Sequence, residues 1–217
     1  MSFVAVDHLV VAAATLDEGA AWCERTLGVA PDAGGRHALF GTHNRVLAIG
    51  SASHPQAYLE IIAIDPEAPA PARPRWFGLD AIDLGGGPRL IHWVGRSPML
   101  DMHRWGLINV GEAPGDPVAA SRPTPAGLLQ WQILVRSDGR LGHGGALPTL
   151  IQWEGAHPTE AMPARGLALQ ALVVNHLPRR VREVLRLRGV ECVDDAGPAL
   201  RARLRTPLGN ITLESKP

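Results

Sequence analysis

The sequence predicts an α+β protein made of two βαβββ units and a shorter third. Three observations carry this. Strand-length apolar runs, rich in Val and Ile, alternate with stretches of helical spacing in the order strand, helix, three strands. The same order returns after roughly 80 residues, the mark of an internal repeat. Finally, 217 residues at 46% hydrophobic content suffice for a real core, and 19 prolines and 24 glycines imply many turns between short elements.

The first unit opens on "FVAVDHLVV", Phe3 to Val11, short and valine-rich, hence a buried strand, yet with Asp7 and His8 in its middle. "TLDEGAAWCERTLG" follows as a helix. Thr15 and Glu18 stand at capping-box spacing, Leu16, Trp22, Cys23 and Leu27 can share an apolar face, and Gly28 is the stop. "RHALF", "THNRVLAIG" and "YLEIIAI" complete a module over residues 1–64. "DPEAPAPARPR", Asp65 to Arg75, reads as an extended linker because its prolines lack amide donors, and "WFGLDAIDLGGGP" continues it to residue 88. The second module, 89–160, repeats the order. It runs through "RLIHWVGR", a short helix in "SPMLDMHRWG" with Ser97 as cap and Pro98 in the first turn, then "DPVAASRPTP", "GLLQWQILV" and "TLIQWE". Residues 161–217 form a C-terminal β-α-β-β unit packed on the same domain. Its helix, in "LPRRVREVLRLRG", carries the stripe Leu177, Val181, Val184 and Leu185 and stops at Gly189. Roughly fifty residues make only a marginal core alone. The unit is therefore expected to add strands to one edge of the paired modules or to cover that edge.

Charge balances at 21 basic and 21 acidic residues, so neither a nucleic-acid surface nor a polybasic membrane patch is implied. The arginines of "RRVREVLRLR" read as the solvated face of a helix. No apolar run reaches membrane-span length, no secretory signal is visible, and Cys23 and Cys192 form no CxxC pair. A cytoplasmic protein acting on a small molecule is expected, with no nucleic acid and no membrane partner, and a homodimer is open. "GGGP" lacks the surroundings of a nucleotide-binding loop.

His8 and His92 lie in the first strands of the two modules, Glu60 and Gln152 in the last. A buried unpaired carboxylate costs several kcal/mol, so Glu60 inside "YLEIIAI" demands a metal, an Arg or a His. Two imidazoles, a carboxylate and an amide suit a divalent first-row ion, and two His with one carboxylate is the composition of a non-haem iron triad. The alternative stands beside it: each histidine is a hydrogen-bonded structural residue, and spacing alone does not bring four strands together.

"VDHLVV", "LDEGAAWCERTLGVAP", "GGRHALFGTHNRVLAIG" and "YLEIIAI", with "GLLQWQI" and "GHGGALPTLIQWEGAHP" further on, resemble the glyoxalase-like branch of the vicinal oxygen chelate superfamily over nearly the whole chain. The resemblance implies an open, cup-shaped barrel of paired βαβββ modules. It also implies a divalent metal ion (zinc, nickel, manganese or iron) held by His8, Glu60, His92 and Gln152. An amide is the weaker donor, and Glu154 could replace it. The implied activity is that of a metal-dependent lyase or isomerase, with Glu60 as ligand and Glu154 as base. His43 and Arg45 on one face of a third strand, and Gln130 and Gln132 on another strand, are candidate substrate contacts, while Trp131 and Trp153 would pack against helices. His43 could equally serve turn chemistry in "GTHN". His37, His54, His103, His143, His157 and His176 are expected at the surface or in loops. Two other readings remain: a ring-cleaving Fe(II) dioxygenase using His8, His92 and Glu60, and a metal-free protein that binds a drug-like molecule in the cup.

Overall fold

The computed structural model describes residues 3–125 and 127–216. The first module is β1 (Ala5–Ala12), α1 (Leu16–Leu27), β2 (Asp32–His37), β3 (Thr42–Ala48) and β4 (Tyr58–Ile64); the second is β5 (Arg89–Arg96), α2 (Leu100–Asn109), β6 (Asp116–Thr124), β7 (Gly127–Val135) and β8 (Thr149–Glu154). Their strands make one eight-stranded sheet in the order β2-β3-β4-β1-β5-β8-β7-β6. β1 runs parallel to β4 and antiparallel to β5, so the β1–β5 pair joins two halves of mirrored strand order. The sheet curls into the expected cup.

Local chemistry explains most boundaries. The Thr15 hydroxyl accepts from the Glu18 amide at 3.1 Å and Gly28, at φ 73°, ends α1 in the left-handed region. The second strand is not "RHALF" but the glycine-rich segment Asp32–His37, which shares only Arg36 and His37 with it. Gly34 packs so closely on β3 that a Cβ there would lie 2.0 Å from Asn44 Oδ1, and the next residues turn back so that Phe40 stacks on Trp76 at 4.1 Å. Helix α2 starts later than expected. Ser97 Oγ accepts from the Met99 amide at 3.1 Å, and the Leu100 amide at the helix start is capped by Gln152 Oε1 at 2.8 Å.

The third unit is β9 (Ala168–Asn175), α3 (Arg179–Leu185), β10 (Val190–Val193), β11 (Leu200–Thr206) and β12 (Gly209–Glu214). It thus has the full βαβββ order, one strand more than β-α-β-β, but a different pairing. β9 lies inside the sheet, between β10 and β11, in the order β10-β9-β11-β12. α3 ends at Arg186, held at φ 50°, three residues before Gly189. The unit neither extends nor covers an edge of the large sheet. Its apolar residues Leu169, Leu172, Val181 and Leu204 join Leu9, Leu59, Cys23 and Leu107 in one core on the helix-bearing side. His54 pins the contact, with Nδ1 3.1 Å from the Leu169 carbonyl and Nε2 2.7 Å from that of Gly189.

A second apolar cluster fills the inside of the cup and includes Val10, Ile62, Val94, Ile133 and Ile151. The linker takes part in it. Trp76, Phe77 and Leu79 are buried there, so the segment between the modules is no inert spacer but the floor of the cup. No helix is long and apolar enough to cross a membrane.

Candidate functional site

Inside the cup lies a chamber of about 40 Å³ whose wall includes His8, His37, Asn44, Tyr58, Glu60 and Arg122. Strand register assembles it. His8 sits opposite Tyr58, and Val10 opposite Glu60, on the parallel β1–β4 pair, while Glu60 faces Val46 on β3. The imidazole of His8 stacks on Tyr58 at 4.5 Å and presents Nε2 to Glu60 Oε2 at 3.5 Å.

The partners of these two residues complete a continuous polar chain. Asp7 is fully buried and accepts three hydrogen bonds: from His8 Nδ1 at 2.7 Å, from Trp153 Nε1 at 2.9 Å and from His157 Nε2 at 3.1 Å. Arg96 Nη1 stands 3.1 Å from His157 Nε2 and 3.7 Å from Asp7, and the Thr159 amide and hydroxyl both reach His157 Nδ1. On the other side Asn44 Nδ2 donates to Glu60 Oε1 at 2.5 Å and to His37 Nε2 at 3.4 Å, while its Oδ1 accepts from the Gly35 amide at 2.7 Å. His37 Nδ1 donates to Thr42 Oγ1 at 3.1 Å.

This chain sets the charges. Burial alone would lower the His8 pKa, but the hydrogen bonds to Asp7 and Glu60 and their negative charges outweigh it and raise His8 to about 9. Burial would raise Asp7 and Glu60, yet both are held below the ordinary carboxylate range, Asp7 by its bonds from His157 and His8, Glu60 by His8, His37 and Asn44. Enclosure of its ring takes His37 down to about 4, with His8 and Arg122 adding to the shift. At neutral pH the site therefore holds an imidazolium between two carboxylates and a neutral imidazole beside them.

Several sequence expectations need correction, most for one reason: alternation tells which residues share a face, not which face looks inward. Gln152 points outward to the start of α2. Glu154 is exposed beside Gln132, whose Nε2 lies 3.4 Å from Glu154 Oε1, and Gln130 pairs with Glu154 on that same outer face. Inward instead point Trp131 and Trp153, which line the chamber and meet at 5.3 Å. On β3 the inward residues are Asn44 and Val46. His43 lies 3.9 Å from Asp65, and Arg45 3.6 Å from Asp17 at the start of α1, both outside the cup. His37 and His157, expected at the surface, belong to the polar chain. The sequence did offer signals for them: Asp7 adjoins His8, Asn44 has the opposite parity to His43, and "HPTE" is a capping segment.

His92 faces inward, opposite Val10 and so diagonal to His8, whose partner on β5 is Val94. Its ring is nonetheless committed elsewhere. Nδ1 donates to the Gly145 carbonyl at 3.2 Å, Nε2 accepts from the Thr149 amide at 3.1 Å, and burial lowers its pKa to about 3. It lines a separate cavity of about 20 Å³ that shares Trp76 and Phe77 with the chamber as a common wall.

A family model described as Glyoxalase-like domain matches residues 6–187. The chain belongs to the glyoxalase-like family. Among solved structures, a hypothetical protein from Staphylococcus aureus is 14% identical with a TM-score of 0.58, covering 99% of this chain and 86% of its own. Methylmalonyl-CoA epimerases are also similar. That of Mycobacterium tuberculosis is 20% identical over 72% of this chain and 90% of its own (TM-score 0.41). A single-residue variant of the Streptomyces coelicolor epimerase, in complex with 2-nitronate-propionyl-CoA, is 14% identical over 70% and 96% (TM-score 0.46). At such identities the likeness speaks of fold alone. No curated protein matches the chain.

The glyoxalase-like resemblance implies a four-ligand metal site, and the donors present do not fit it. His8 Nε2 and Glu60 converge, and Asp7 backs His8 as a carboxylate backs a ligating histidine. The other half is missing: the lone pair of His92 is taken by Thr149, and Gln152 caps α2. Among the described residues no three His, Cys, Asp or Glu side chains form a group that could hold a metal ion. The same commitment of His92 removes the His8–His92–Glu60 triad on which the dioxygenase reading rested.

Proposed function

We propose that this glyoxalase-like protein binds a small oxygen-bearing acid in the cup and moves a proton on it, an isomerase or lyase type of chemistry, with His8 and Glu60 as the working pair. The observation that carries the reading is the buried His8 imidazole presenting Nε2 to the buried Glu60 carboxylate at 3.5 Å on the wall of a chamber. Paired groups with opposed pKa shifts in a cavity are what acid–base catalysis needs. Glu60 takes a proton from the carbon beside a carbonyl. The electron pair moves to the carbonyl oxygen, where the His8 Nε2–H hydrogen-bonds the developing oxyanion. As His8 turns its proton to that oxygen, Glu60 loses its cationic partner and becomes a stronger base. Return of the proton to the same or a neighbouring atom completes an isomerisation. Asp7 keeps His8 protonated, and Asn44 aims the Glu60 carboxylate.

The test is deuterium exchange. Chelator-treated protein in D2O is given a panel of small 2-oxo and 3-oxo acids, and loss of the C–H signal is read by proton NMR. Exchange above background is expected, falling by roughly 100-fold or more in Glu60→Gln and in His8→Gln, the scale of a lost acid–base group. Exchange that is unchanged in both variants, or that returns only when zinc, nickel, manganese or iron is added, overturns the reading. Binding without exchange would point to the metal-free binding protein.

A further inference from the structure

The chamber is too small for a whole substrate. One enclosed water needs roughly 10–15 Å³ of cavity, so about 40 Å³ takes only a small polar head. Next to it runs a groove of about 610 Å³ between the β6–β7 hairpin and residues 156–163, and Val46, Arg122, Pro158 and Met162 line both spaces. The groove is the size of an ordinary ligand site. Its floor is mostly apolar, with Pro123, Leu128, Leu129 and Pro163 beside the shared residues, and Leu128 is exposed to it.

The junction is marked by a donor without an acceptor. Arg122 Nε is buried and has no hydrogen-bond partner among the described residues, and its guanidinium forms no ion pair there. Away from the groove, Trp76 Nε1 on the chamber wall is also buried without a partner among the described residues. A buried donor left unmet costs free energy that an anionic acceptor would recover. Gly35 lets Arg122 reach this place, since a Cβ there would lie 2.0 Å from its Nη1.

We infer that the ligand is an amphipathic carboxylic acid: its carboxylate meets Arg122 at the junction, its reacting carbonyl end enters the chamber, and an apolar chain or ring lies in the groove. This deepens the proposed function and rests on that reading for which end reacts. Neither Arg122 nor the groove was visible as a site in the sequence, where "SRPTP" looks like an irregular strand.

The experiment is calorimetric titration of the whole chain with pyruvate, 2-oxooctanoate and 2-octanone, run beside the deuterium-exchange assay. Full burial of a methylene gives about fourfold in affinity. At half burial, about twofold each, the five extra methylenes of 2-oxooctanoate over pyruvate should tighten binding roughly 30-fold. Arg122→Gln should weaken 2-oxooctanoate by roughly tenfold and cancel its preference over 2-octanone. Because Arg122 has no hydrogen-bond or ion-pair partner among the described residues, the variant should keep the wild-type unfolding curve, and Leu128→Ser gives an independent check by weakening the long acid. Equal affinity for the short and long acids, a ketone bound as well as the acid, or no binding of either acid overturns the inference. Exchange that proceeds without any chain-length effect sinks the groove but leaves the His8–Glu60 chemistry standing. Chain-dependent binding without exchange does the reverse.

Discussion

Replacing Asp7 by Asn tests the electrostatic core of the site. Asp7, together with Glu60, holds His8 at about 9 against an ordinary value of 6.5. Each pH unit between folded and unfolded values is worth 1.36 kcal/mol, so the imidazolium form contributes about 3 kcal/mol to folding. The sign follows from the direction. A group whose pKa is raised by folding gives its full contribution below its unfolded value, and that contribution is lost as pH rises through the folded one. Wild-type stability should therefore fall by about 3 kcal/mol between about pH 6.5 and about pH 9. Asp7 and Glu60 act in the opposite window. Both are held low, so their contribution is present above the ordinary carboxylate range and lost as pH falls below it. Asp7→Asn should flatten the alkaline limb and lower the His8 midpoint. It also leaves the Trp153 and His157 donors without their anion, a loss of about 3–5 kcal/mol near pH 6. Urea unfolding at a series of pH values gives the stability, and the His8 ring resonances give the midpoint by NMR. If His8 titrates at or below its ordinary value in the wild type, or at the same pH in the variant, the argument that Asp7 controls its charge is refuted.

Three further outcomes are expected. Gln152→Ala should cost about 1 kcal/mol, the value of a helix cap, and leave acid binding unchanged; lost binding would return Gln152 to the cup. Gly34→Ala should break the β2–β3 edge, because its Cβ would lie 2.0 Å from Asn44 Oδ1 and 2.5 Å from the Asn44 carbonyl oxygen; retained exchange activity would show that Asn44 does not aim Glu60. Phe77→Ala should cost about 3–5 kcal/mol as a large-to-small core change. Phe77→Gly should be the milder of the two by about 1 kcal/mol, since Phe77 sits at φ 58°; thermal unfolding of the pair checks this order.

The two βαβββ modules were legible because each strand and helix is encoded locally. Glu60 and His8 were legible because polar groups in valine-rich strands demand partners. The inward parity of β3, β7 and β8 was not legible. Period-two patterning is symmetric, and these strands carry polar residues on one face and tryptophans or Asn44 on the other. Each face of β3 and β8 mixes polar and apolar side chains, so hydrophobicity did not choose between them. His157 was invisible for a different reason: its contact with Asp7 spans 150 positions, and only the closed sheet creates it. The retirement of His92 was likewise hidden, because Gly145 and the Thr149 start of β8 are brought to it by a connection whose path no local pattern specifies.

Trp76 and Phe77 give the connection between the modules a second duty. Two copies of this chain could in principle trade their second halves, as duplicated folds with a long joint do when the joint straightens. Here the joint is also the stopper of the cup. Straightening it would withdraw Trp76 from its stack with Phe40 and Phe77 from the wall shared by the two cavities. An exchanged pair would then have an open-bottomed cup in each half. The bend that carries Trp76 and Phe77 thus ties the wall of both cavities to the path of the connection between the modules.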